Sequence, residues 1–172
     1  DVYKRQEIDF PGSDRLLRPR GWLAAAFLIV VLGAPAAKAT PPQTNGFYPI
    51  TPCRVADTRN PNGPYGGPAV AANSDRTFQF AGQCGIPSTA EAVALNVTVT
   101  GATASGDLRI YPAGYSLPSS TAINYRPAMT RANNGTYALN STGVLALHCD
   151  QSSGSLNVIL DVFGYFETVA VP

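Results

Sequence analysis

The sequence predicts an all-β fold, an antiparallel β-sandwich of about eight short strands, on three observations. Residues 40–172 contain no sustained 3.6-residue apolar periodicity, so no amphipathic helix is predicted there. Short alternating runs recur, with Gly, Pro and Asn turn signals between them. The last run is apolar on both faces, which is typical of a central strand. A jelly roll is one sandwich compatible with this pattern, and a barrel is the alternative.

The central strand is predicted at residues 155–166, which read SLNVILDVFGYF. Asp161 is the only charged residue in this run. Because an unpaired buried carboxylate is too costly to keep, Asp161 is expected to find donors or to lie at an edge. Alternation divides the apolar side chains between two faces: Leu156, Val158, Leu160 and Val162 on one, Ile159, Phe163 and Tyr165 on the other.

Seven further strands are predicted upstream. Residues 47–57 contain Pro49 and Pro52, which cannot donate to a ladder, so this strand is placed at a sheet edge. Residues 92–100 (AVALNVTVT) alternate most clearly and are predicted to form a hairpin with, or lie beside, the next strand. The Asn-Gly step at 134–135 predicts a tight turn. The remaining strands are predicted at residues 76–80, 107–111, 121–125, 136–139 and 143–149, and an ordered loop rich in Gly, Pro and Asn at 58–68.

The N-terminal part resembles an export signal. Arg15, Arg18 and Arg20 precede a short apolar run, residues 21–33, and an Ala-x-Ala cleavage signal ends at Ala39. A membrane anchor is the alternative, but the apolar run is shorter than the roughly 20 residues that span a bilayer. Residues 1–6 resemble a translated adapter sequence. The predicted organisation is therefore an artefactual start plus signal peptide at 1–39, a mobile lead-in at 40–46, one domain at 47–168 and a tail at 169–172.

Charge excludes one class of partner. Residues 40–172 hold six Arg, no Lys, and seven Asp plus Glu. Nucleic-acid binding needs a basic stripe, and none is present. A nearly neutral, hydroxyl-rich chain is typical of an extracellular β module that meets neutral partners, with no membrane contact after cleavage of the signal.

Three cysteines remain after the predicted cleavage site, and export permits a disulfide. Cys53 and Cys84 each adjoin loop residues, whereas Cys149 continues the alternation of Leu145 and Leu147. Of the three possible pairings, the pattern favours Cys53–Cys84, with Cys149 as a buried thiol at a strand end.

Several phrases then occur in order: PCRVADTR, CGIP, LNVTVT, YPAG and ILDVFGYF. Together they resemble an uncharacterised β domain of secreted and cell-surface proteins from bacteria such as actinobacteria and acidobacteria. The resemblance covers residues 47–166. It implies an exported, extracellular location and a single domain, and it implies neither catalytic residues nor a ligand.

The segment that follows the first strand carries the best candidate binding site. Asp57 and Arg59 stand at the start of the 58–68 loop with Asn60, Asn62 and Tyr65, a set that suits a sugar: planar polar groups beside an aromatic face. The alternative is structural, with Asp57 and Arg59 fixing the loop and Asp161 as a second anion.

Other polar residues are assigned weaker roles. Asn96, Asn124, Arg131 and Asn133 are predicted to satisfy backbone groups or to line a polar groove. Oxygen ligands for calcium could come from the 57–62 segment and Asp161, but no D-x-D-x-D-G pattern is present, so no metal or other cofactor is predicted.

His148 is the only histidine, and no G-x-S-x-G elbow accompanies it. Adjacent strand residues point to opposite faces, so His148 and Cys149 cannot act as a pair by adjacency. The sequence therefore predicts a non-catalytic module that binds carbohydrate, cell wall or matrix outside the cell. A self-assembling structural subunit is the alternative, and a hydrolase is the third possibility.

Overall fold

The computed structural model describes residues 43–170, and the side chains of residues 44–169. The predicted signal peptide, residues 1–39, lies outside the described residues. Residues 43–170 contain no helix, so none that could span a membrane. The nine strands are β1 (Gln43–Asp57), β2 (Val70–Ala71), β3 (Ser74–Gln79), β4 (Ala92–Thr100), β5 (Gly106–Pro112), β6 (Ile123–Tyr125), β7 (Arg131–Ala138), β8 (Val144–Gln151) and β9 (Ser155–Ala170).

The strands form two antiparallel sheets, which confirms the predicted sandwich. The first sheet has the order β1-β9-β4-β7, with β2 also paired to β9, and the second has the order β3-β8-β5-β6. Side chains from both sheets meet in one core, whose largest fully buried members include Phe78, Phe80, Leu95, Leu108, Leu147 and Leu160.

β9 is the central strand of the first sheet, as predicted, with β1 on one side and β4 on the other. The predicted face of Tyr165 is wrong. The register between β4 and β9 shifts between Ala94 and Leu95, so that Val93 pairs with Tyr165 and Leu95 with Val162. The extra residue in β9 is Phe163, and after this bulge Tyr165 packs against the core.

Two local predictions about connections are wrong. β4 and β5 are not hairpin neighbours, because they belong to different sheets and residues 101–105 cross between the layers. The Asn-Gly step at 134–135 is not a turn but lies inside β7, where Asn134 and Gly135 pair with Asn96 and Leu95. Pairing with the buried strand β4 outweighs the local turn preference.

β1 lies at a sheet edge, as Pro49 and Pro52 predicted, but it is longer than expected. Residues 43–46, assigned to a mobile lead-in, pair with residues 167–170 of β9. The paired strands therefore extend beyond the predicted domain limits at 47 and 168, because each supplies the other's backbone partners.

Cys53 and Cys84 form a disulfide that joins the β1 edge to the turn after β3, as predicted. Cys149 is a buried free thiol on the core side of β8, also as predicted. The neighbouring His148 points to the opposite side of the strand and is partly exposed.

Candidate functional site

The Asp57–Arg59 cluster at the end of β1 is tightly bonded. The side chain of Asp57 is only 5% exposed. Its carboxylate accepts bonds from Arg59 Nε at 2.8 Å, Arg59 Nη2 at 2.6 Å and the Arg59 backbone N–H at 3.2 Å. These bonds from Arg59 hold the pKa of Asp57 below its usual value.

Arg54 joins this cluster to the central strand. Arg54 Nη1 lies 3.3 Å from Asp57 Oδ2, while its Nε and Nη2 bind the two carboxylate oxygens of Asp161 at 2.7 and 3.2 Å. Asp161 therefore finds its donors on the neighbouring strand, in a bidentate pair. Sequence reasoning expected Asp161 as a second anion for this region but missed Arg54 as the link.

The loop at 58–68 is held mainly by a residue that sequence reasoning missed. The Arg76 guanidinium, on β3, donates to the carbonyl oxygens of Gly63 at 3.1 Å and Gly67 at 3.2 Å, and also to those of Gly66 and Pro68. It lies 5.0 Å above the ring of Phe78. Every residue has a backbone carbonyl, so the sequence does not show which carbonyls an arginine binds. Only the position of Arg76 on a strand next to the loop could have suggested that it binds the loop backbone.

The other loop residues differ in how they are placed. Tyr65 packs partly against the core, and its carbonyl accepts a bond from the Asp57 backbone at 2.9 Å. Asn60 and Asn62 are exposed, and the backbone of each is tied to Gly67. The charged pairs that the structural alternative expects are formed, and sugar binding at this loop stays a prediction.

The structure brings together three of the four weaker polar candidates. Asn124, Arg131 and Asn133 line one groove of about 410 Å³ between β6 and β7, and Asn133 Nδ2 donates to the Ala122 carbonyl at 2.8 Å. Asn96 lies elsewhere, on the outer face of β4, with its Nδ2 3.4 Å from Thr98 Oγ1.

His148 belongs to a polar cluster on the outer face of the second sheet. Its Nδ1 lies 2.9 Å from Asp75 Oδ1, which also accepts a bond from the Tyr111 hydroxyl at 2.8 Å. Burial, helped by Asp75, raises the pKa of Tyr111 to about 12. Among the bonds of residues 43–170, none joins His148 to a serine or cysteine, and no group of three His, Cys, Asp or Glu side chains gathers as metal ligands would.

A different surface emerges on the outer face of the first sheet. Phe47, on β1, lies beside Phe166, on β9, with ring centroids 4.9 Å apart. Phe163, the bulge residue, joins them, and the three rings line a shallow groove of about 300 Å³ whose far wall is Asn134 and Thr136 of β7. We call this surface the aromatic groove.

The backbone at Gly164 shapes the aromatic groove. A Cβ added there would lie 2.3 Å and 2.4 Å from two ring atoms of Phe47. The absence of that carbon lets the Phe47 ring lie directly against β9, with 46% of Phe47 exposed. Sequence reasoning missed this site because Phe47 and Phe166 become neighbours only through the β1–β9 register, and Phe166 shares the face of Phe163 only because the bulge reverses the alternation.

A scan against protein-family models gave no match for this chain, and a search of curated proteins gave none either.

Proposed function

We propose that the protein is an exported, non-catalytic module that binds a polysaccharide of the cell wall or extracellular matrix. The observation that carries this proposal is the aromatic groove: three phenylalanine rings at the surface of a sheet, beside an amide and a hydroxyl. Phenylalanines are usually buried, and a contiguous exposed apolar patch is typical of an interaction site.

The chemistry of the aromatic groove suits a sugar ring. A pyranose has an apolar face of C–H groups that packs on the face of an aromatic ring, and its edge carries hydroxyls that need hydrogen-bond partners. Phe47, Phe163 and Phe166 supply the first kind of contact, and Asn134 and Thr136 supply the second. Ligand sites in general combine an apolar lining with a few placed polar groups.

Charge supports a neutral ligand at this surface. Among the charged residues along β9 and β1, Asp161 and Arg54 are paired to each other, and Glu167 accepts a hydrogen bond from the Thr89 hydroxyl at 2.7 Å. The Cys53–Cys84 disulfide fits an oxidising compartment, which is consistent with the predicted signal peptide.

The test is retention of the purified domain, residues 40–172, on insoluble polysaccharides and peptidoglycan, with calcium and with chelator. We expect retention by the unmodified domain and its loss in Phe47→Ala and Phe163→Ala. The control is Tyr115→Ala, which removes an aromatic side chain that is 67% exposed and lies away from the groove.

Arg59→Ala in the same assay tests the competing site at the 58–68 loop. Loss of retention in Arg59→Ala but not in the phenylalanine variants would move the binding site to that loop. Equal retention of all variants, each shown to be folded by circular dichroism, would exclude the aromatic groove, and no retention of the unmodified domain on any matrix would overturn the proposed function.

A further inference from the structure

The edges of the two sheets differ in how they are protected. Natural proteins guard edge strands with proline, charge, bulges or shortness, because unpaired backbone groups invite pairing with another chain. β1 has Pro49, Pro52 and two register shifts. β3 carries Asp75 and Arg76, and β6 has only three residues. In the described part of the chain, these three edges are each protected by a recognised feature.

β7, the fourth edge, has little of this protection. It is eight residues long, contains neither Pro nor Lys, and has one charged residue, Arg131, at its first position. Six of its eight residues are exposed. Two open grooves of about 320 and 410 Å³ lie between β7 and the 118–124 segment, and the Asn133 side chain donates to the Ala122 carbonyl of that segment. Among the described residues, no backbone hydrogen bond joins β7 to that segment, so the backbone groups on this side of β7 face the grooves.

We propose that β7 pairs antiparallel with β7 of a second copy of this chain. An antiparallel pair of identical strands is self-complementary about a two-fold axis, which is the commonest symmetry of protein dimers. With full overlap the two Arg131 residues lie at opposite ends of the pair, roughly 20 Å apart at about 3.3 Å per residue. The single charge of β7 therefore causes no repulsion.

The geometry of such a pair has a functional consequence. The two-fold axis of an antiparallel strand pair is perpendicular to the sheet, so both copies present the same face on the same side. The two aromatic grooves, each walled by Asn134 and Thr136 of β7, would face one polymer together. The β7 pairing is argued independently of the proposed function. A dimer with two aromatic grooves would bind one polysaccharide chain with greater avidity than a monomer.

The test is the mass of the domain by light scattering over an about hundredfold range of concentration. We expect a dimer that dissociates on dilution, and in Ala132→Lys at least a roughly tenfold weaker dimer, because a lysine on the edge disfavours pairing. The matched control is Thr77→Lys, which puts the same side chain at an exposed position of the β3 edge and is expected to leave the dimer unchanged.

Hydrogen exchange of the unmodified domain separates β7 pairing from any other association: the β7 amides should gain protection as concentration rises. A monomer at every concentration, equal effects of the two lysine variants, or a dimer without added β7 protection would each overturn the proposal. Polysaccharide retention by Phe47→Ala tests the aromatic groove separately, so the two proposals can fail independently.

Discussion

Arg76 is the residue on which the 58–68 loop most depends, because one guanidinium binds four backbone carbonyls there. Arg76→Lys keeps the charge but cannot reproduce this planar fork. We expect the free energy of unfolding to fall by about 1–3 kcal/mol, and proteolysis within 58–68 to accelerate. Urea denaturation measures the first effect. Arg126→Lys, at an exposed position, is the control, and equal stability of the two variants would contradict the assigned role.

Asp57 makes the free energy of unfolding depend on pH. Its pKa is lowered in the folded state by the bonds from Arg59. Because the pKa of Asp57 is lower in the folded state than in the unfolded chain, its ionised form stabilises the fold at pH values above the unfolded pKa, about 3.9. This stabilisation is lost as the pH falls through the folded-state pKa. The free energy of unfolding, measured in urea from neutral pH downwards, should therefore fall over this window. Asp57→Asn should be less stable near neutral pH and show a shallower fall, whereas parallel curves would argue against the linkage.

The roles of Asp57 and Arg76 differ in how far the sequence predicts them. Asp57 and Arg59 were predicted as a pair because they are two positions apart, so that one strand end brings them together. Arg76 was missed because its partners are carbonyl oxygens 8 to 13 residues away, and every residue has one. Local side-chain chemistry is readable from sequence, whereas recognition of backbone across a sandwich edge is not.

At the scale of elements, the alternation of apolar residues predicted the two clearest strands, β4 and β9, and the two prolines Pro49 and Pro52 predicted the edge position of β1. It did not predict which strands pair, because alternation describes the faces of a strand and not its neighbours. Alternation therefore predicted β4 and β5 as a hairpin or neighbours, which is wrong, and it gave no sign of the bulge at Phe163. The aromatic groove was missed for the same reason, since it exists only in the register of β1 on β9.

Gly164→Ala tests that register-dependent site. The new Cβ would overlap the Phe47 ring, which must swing away from β9. We expect retention on polysaccharide to be lost while the free energy of unfolding falls by only about 1 kcal/mol. Gly63→Ala is the matched control, because the nearest atom to its added Cβ is 4.0 Å away. Unchanged retention in Gly164→Ala would show that the position of Phe47 does not matter for binding.

At the scale of the whole molecule, the disulfide is the covalent tie between the layers. Cys53 lies on β1 of the first sheet, and Cys84 lies in the turn that follows β3 of the second, 31 residues later. Composition predicted the pairing because the third cysteine fits an apolar face. The buried Cys149 is screened from solvent, and burial raises its pKa, so its thiolate is scarce at neutral pH.

The double variant Cys53→Ser/Cys84→Ser should therefore lose about 3–4 kcal/mol of unfolding free energy, because the unfolded chain regains the freedom of the open loop. The midpoint of thermal unfolding should fall by roughly 10 °C or more. Reductant should destabilise the unmodified domain by a similar amount and leave the double variant unchanged. In the folded, unreduced domain, Cys149 should react with a thiol reagent only after denaturant is added. Rapid reaction of Cys149 without denaturant would mean that the two layers separate readily even when the disulfide is intact.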